Sequence, residues 1–129
     1  MNILKNLNLA SNLIDNLSVL SGMTMLETLD LSGNKIHDIT PLADLKNLME
    51  LDLGYNDISD LTPLKNHVAL EYLAISNNPL ENISTVSGLM SLTELHASIC
   101  SITELPTGGF PQSITHINLD YNQIRNVVI

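Results

Sequence analysis

Glu94, His96 and His116 are side chains of the types that ligate a metal or move a proton near neutral pH. Cys100, the single cysteine, is a nucleophile by type, although a reactive thiolate needs exposure and a positive neighbourhood. Asp30 and Asp52 are carboxylates 22 residues apart, and the same interval separates Glu94 from His116 and His96 from Asn118. Two histidines and a carboxylate on an open surface, without a water-excluding pocket or supporting outer shell, make neither a metal centre nor an acid–base device. What these residues do is therefore set by whatever repeats at that interval.

The pattern L-x-x-L-x-L-x-x-N-x-I opens at Leu4, Leu26, Leu48, Leu70, Leu92 and Ile114, six times in 129 residues. A unit of this length cannot bury its own apolar face, so successive units must stack as a solenoid, here one α/β domain over residues 1–129. The columns Leu7, Leu29, Leu51, Leu73, Leu95, Ile117 and Leu9, Leu31, Leu53, Ile75, Ala97, Leu119 alternate with polar residues, the signature of a short strand buried on one face. Stacked in register, six strands form a parallel sheet with a spacing of about 4.8 Å. With no Trp and one Phe, the core must be aliphatic.

Asn12, Asn34, Asn56, Asn78, Cys100 and Asn122 share the ninth position, where a buried amide can satisfy backbone groups of its own and the neighbouring coil. Cys100 in that inward column reads as a small buried thiol. The columns running from Ile14 and Ile36 to Ile124, and from Leu17 and Ile39 to Leu105 and Val127, pack from the far side. Ser18, Thr40, Thr62 and Ser84, followed by Pro41 and Pro63 in two coils, predict hydroxyl-capped 3₁₀ turns on the convex side. Asp15, Asp38, Asp60, Glu81 and Glu104 lie just ahead of these turns, where negative charge suits an N-terminal dipole. His37 and His67 read as surface residues of that side, and Asn16 and Asn82 sit in N-x-S sequons. The fifth return, Leu105-Pro106-Thr107-Gly108-Gly109-Phe110-Pro111, predicts a turn-like path covered by Phe110.

The stretch Leu29 to Leu48, LDLSGNKIHDITPLADLKNL, repeated from Leu51 with Asn56, Asp60 and Pro63 in register, resembles the 22-residue leucine-rich repeats of bacterial internalins and of eukaryotic phosphatase regulators. The fifth coil is similar to the L-P repeats of some bacterial effectors. The resemblance implies a right-handed horseshoe whose concave sheet binds another protein. Family members carry terminal caps, whereas here the pattern runs from Leu4 to Ile129, so a fragment, or ends covered by a neighbour or by end-to-end self-association, is expected.

Between the buried columns the concave wall displays seven of the 14 carboxylates and one of the five cations. The candidate partner-binding residues are Glu27, Asp30, Glu50, Asp52, Tyr55, Glu71, Tyr72, Glu94, His96, His116 and Asn118. One reading is an acidic stripe that receives a protein with a basic or mixed-charge surface, with Tyr72 and Tyr55 as anchors. The other is a solubilising face on spacer coils of a larger surface or effector protein. Tyr55 and Tyr121 also have a structural reading, as rings shielding the turn. A formal charge of −9 argues against nucleic acid. The sequence holds no apolar run long enough for a membrane span. No phosphate loop or nucleophile–base pair suggests an enzyme, and no cofactor is implied. Met1 to Leu9 does not read as a signal peptide, so the chain as written reads as intracellular, or as secreted or surface-held if it is a fragment.

Overall fold

The structure, a computed structural model of the chain, describes residues 2–125 and 127; the end of the pattern at Ile129 lies outside them. Six three-residue strands, β1 (Asn6–Asn8), β2 (Thr28–Asp30), β3 (Glu50–Asp52), β4 (Tyr72–Ala74), β5 (Glu94–His96) and β6 (His116–Asn118), form one open parallel sheet in chain order. The register advances by 22 residues at each step, with Leu7, Leu29, Leu51, Leu73, Leu95 and Ile117 paired in a row. Leucines pointing inward at equal intervals stack on one another, so each coil buries the apolar side of the next.

The stacking yields one continuous aliphatic core from Leu17 to Ile102, with Phe110 packed against it beside the fifth return. The outermost coils bury less: Leu4 and Ile117 are exposed, and Val127, placed in a core column by its spacing, faces solvent.

The asparagine column threads this core. Asn34 donates from Nδ2 to the carbonyls of Leu9, Leu31 and Ser32, and its Oδ1 accepts the N–H of Ile14 at 3.0 Å. Asn56 and Asn78 repeat the pattern one and two coils on. At Cys100 the thiol, whose pKa burial pushes up, donates weakly to the carbonyls of Ile75 and Ser98. It offers no oxygen to the preceding coil. The Leu80 N–H turns instead to the carbonyls of Asn78 and Cys100, and Glu81 and Ser101 adopt φ of +56° and +60°.

On the far side, 3₁₀ turns occur at Ser18–Leu20, Thr40–Leu42, Thr62–Leu64 and Ser84–Gly88. Their capping differs from the sequence expectation. The N-cap residues are Leu17, Ile39, Leu61 and Ile83, with no side-chain cap. The N–H of each leading Ser or Thr is taken by a side-chain oxygen two residues earlier, from Asn16, Asp38, Asp60 and Asn82. An Asx turn thus does the work assigned to a hydroxyl, because the four-atom reach back to the N–H of residue i+2 is met by a carboxylate or an amide alike. The sequon asparagines are these turn residues, whereas Asp15 and Glu81 are not.

His67 is a second correction. It is fully buried, not a surface residue of the convex return. Counting through the whole unit puts it at the position held by Met23, Leu45, Leu89 and Pro111.

Candidate functional site

Because each inward leucine fixes its neighbours outward, the two remaining residues of every strand form two parallel rows on the concave wall. One row runs Asn6, Thr28, Glu50, Tyr72, Glu94, His116 and the other Asn8, Asp30, Asp52, Ala74, His96, Asn118. The rows place Asp30 beside Asp52 and put Glu50 next to Tyr72. Between them lies a shallow groove of about 380 Å³ whose polar lining is Asn6, Asn8, Thr28, Asp30, Glu50, Asp52 and Tyr72.

The second row also has a backbone duty. Oδ1 of Asn8, Asp30, Asp52 and Asn118 accepts the N–H two residues on, from Ala10, Ser32, Gly54 and Asp120, at 2.9–3.0 Å. Asp30 takes the Ser32 hydroxyl as well, at 2.6 Å. Where the row reads Ala74 and His96 this bond is absent, and the Ser98 N–H donates to Ser76 Oγ across the sheet.

Burial raises the pKa of Asp52 above the ordinary carboxylate value, and the neighbouring charge of Asp30 adds to the rise while the Gly54 N–H opposes it. Tyr72 is raised by burial first and then by Asp52, Glu94, Asp30 and Glu50. Its ring lies against His96, with centroids 5.4 Å apart at 45°. His96 Nε2 sits 2.6 Å from Glu94 Oε2, the one contact between a basic and an acidic side chain among the described residues. No lysine or arginine pairs with Asp30, Glu50 or Asp52 there.

The three residues with metal-ligating types divide. His96 joins Glu94, while His116 Nδ1 meets the Thr115 hydroxyl at 2.9 Å. Among the described residues no group of three is disposed to hold a metal. Glu27 and Glu71 lie one residue ahead of β2 and β4, at the margin of the rows.

Tyr55 belongs to neither row. It stands at the eighth position of the unit, with Ser11, Gly33, Asn77, Ile99 and Tyr121, and all six have φ between +55° and +69°. The chain must reverse there to send the asparagine inward, and only glycine adopts this region without strain. Tyr55, Ile99 and Tyr121 are nonetheless exposed large side chains, at 65%, 50% and 85%. The groove residues Asn6, Asn8 and Thr28 were not singled out by sequence, although their columns announce them.

Fold and face define the class. Residues 4–44 and 24–66 match the family model described as "Leucine Rich repeats (2 copies)". Nothing among the curated proteins matches. The chain is 35% identical to internalin C2 from Listeria monocytogenes, with a TM-score of 0.92 over 98% of this chain and 56% of that one. It is 25% identical to the plant peptide hormone receptor RGFR1, solved in complex with RGF2, with a TM-score of 0.76 over 89% of this chain and 20% of that one. It is 26% identical to TLR13, solved as a complex with ssRNA13, with a TM-score of 0.67 over 90% of this chain and 16% of that one. The chain is a leucine-rich repeat protein. Within that class its coils are internalin-like, and it spans little more than half of the internalin C2 chain.

Proposed function

We propose that this chain is a non-enzymatic recognition module that seats a protein with a basic or mixed-charge surface on its concave sheet. The observation that carries the reading is the second row of the wall. Asn8 and Asn118 make the same backbone hydrogen bond as Asp30 and Asp52, so the fold needs only an Asx oxygen at these places. The charge on Asp30 and Asp52 serves no bond that a neutral amide could not, and it places like charges side by side, which weakens a sheet. A partner's Lys or Arg would turn that cost into attraction and speed encounter. Tyr72, half-buried at the end of the groove, supplies a rigid apolar anchor of the kind enriched in interface hot spots.

RGFR1 carries a peptide and TLR13 an RNA in their complexes. A peptide or protein suits this wall better than RNA, since phosphate binding needs clustered cations and the wall displays Lys5 alone among the five. Among the described residues no helix is long and apolar enough to cross a membrane.

The test is a triple variant, Asp30→Asn, Glu50→Gln and Asp52→Asn, against wild type. Association with the partner is expected to slow at least tenfold at low salt, and its dependence on ionic strength to flatten. Unchanged association kinetics at every salt concentration would support the second reading, that these coils are spacers in a larger protein. That reading draws on the exposed apolar faces of the outer coils, which a further coil or a second copy could cover.

A further inference from the structure

Among the buried side chains of the core, His67 has no counterpart. Its position is Met23, Leu45, Leu89 or Pro111 in the other coils, and it is fully buried. Nε2 lies 2.9 Å from the carbonyl oxygen of Leu42 in the preceding coil. A carbonyl only accepts, so Nε2 carries the proton and Nδ1 presents a bare lone pair. Nδ1 is buried and has no hydrogen-bond partner among the described residues. In this tautomer the coil tolerates one unfilled acceptor. Protonation would add a second N–H and a charge in an aliphatic layer.

We propose that His67 makes the third coil an acid-sensitive joint of the solenoid, closed while the imidazole is neutral and loosened when it is protonated. The surroundings offer the cation little relief. The carbonyls of Leu42 and Leu64 favour it, and Asp44 and Lys46, on the return of the preceding coil, act in opposite senses. In its own coil the nearest charged residue in sequence is Lys65, and the return of the following coil, 82–91, contains no titratable residue. The joint belongs to the same coil as β3, which carries Glu50 and Asp52, so its opening reaches the coil that supplies the centre of the wall.

Burial, the largest cause, moves the His67 pKa below its ordinary 6.5. The sign of the linkage follows. A histidine with a lowered folded pKa contributes stability that is complete above the unfolded value and is lost as pH falls through it towards the folded value. The decisive measurement is urea unfolding of wild type, His67→Leu and His67→Met at pH 7.5 and pH 5.0. Leucine and methionine already occupy this position in other coils, so both variants retain the layer. Wild type is expected to lose about tenfold more of its folding equilibrium constant between the two pH values than either variant, equivalent to about 4 °C in Tm. Parallel losses in all three proteins would overturn the proposal. An independent readout is the imidazole NMR titration of wild type: the His67 midpoint should lie below the ordinary 6.5, and a midpoint at or above 6.5 would equally refute the proposal.

Discussion

Two polar columns run the length of this sheet in the same register, one inside and one outside. The inner column is asparagine in five coils, and where Cys100 interrupts it the neighbouring backbone is rerouted through Leu80 and two strained residues, Glu81 and Ser101. The outer column changes freely between Asn, Asp, Ala and His, and the strands keep their pairing throughout. Both columns satisfy backbone groups through side-chain oxygens. The difference is water. A donor or acceptor abandoned in the core costs its full desolvation, whereas one abandoned on the wall is rehydrated. The inner column is therefore held by folding, and the outer one is left open to binding.

The sharpest way to break this comparison is Asn56→Ala. Asn56 donates to the carbonyls of Leu31, Leu53 and Gly54 and accepts from Ile36 N–H, so the change strands several buried backbone groups at once. A loss of about 3 kcal/mol or more in unfolding free energy is expected, measured by denaturant titration. A loss below about 1 kcal/mol would mean that water reaches the ladder and that the columns do not differ as stated.

A smaller effect of opposite sign is expected at Ile99→Asn. Ile99 is β-branched, half-exposed and held at φ +55°, at a position where another coil has Asn77 at +59°. Asparagine tolerates this region, so thermal unfolding should show a gain of about 1 kcal/mol. The same variant compared with wild type in partner binding would show whether the exposed Tyr55, Ile99 and Tyr121 edge belongs to the interface.

The register, the strand positions, the buried leucines and the two wall rows were legible in the sequence because each is written six times, and one deviant coil does not obscure a column. The convex half was less so. Its position nineteen residues after each opening leucine reads Met23, Leu45, His67, Leu89, Pro111, four residue types whose common property, full or partial burial, shows only when the column is aligned through the whole unit. The turn chemistry was misread for a related reason: Asn16 and Asn82 fit a glycosylation pattern, and Asp38 and Asp60 fit a dipole argument, while their shared role is an Asx oxygen two residues before a Ser or Thr N–H. The rearrangement around Cys100 has no sequence signal beyond the cysteine itself. The pairing of His96 with Glu94, and not with His116, depended on side-chain rotamers that column spacing does not specify.

The smallest effects test whether the two faces of the molecule titrate with opposite sign. On the convex side Thr40, through its hydroxyl and N–H, and Thr62, through its N–H and hydroxyl, hold the carboxyls of Asp38 and Asp60 below the ordinary carboxylate value. Such groups contribute stability that is present above the unfolded pKa and disappears as pH falls through the folded value. On the wall, burial and Asp30 raise Asp52 above 3.8, so its ionised form is a penalty that is present at neutral pH and relieved on acidification through the raised value. Asparagine preserves the Asx bond at every one of these positions, as Asn8, Asn16, Asn82 and Asn118 already demonstrate. Asp52→Asn should therefore be slightly more stable than wild type at pH 7, and the Asp38→Asn, Asp60→Asn double variant slightly less stable. The Asp52 difference should fade as pH falls through its raised value, and that of the double variant only as pH falls below the lowered values of Asp38 and Asp60, where the carboxyls are protonated in either state. Thermal melts across that range check the pair, and a gain of stability in both variants at neutral pH would show that net charge alone, not the hydrogen-bonded environment of each carboxyl, governs the acid response.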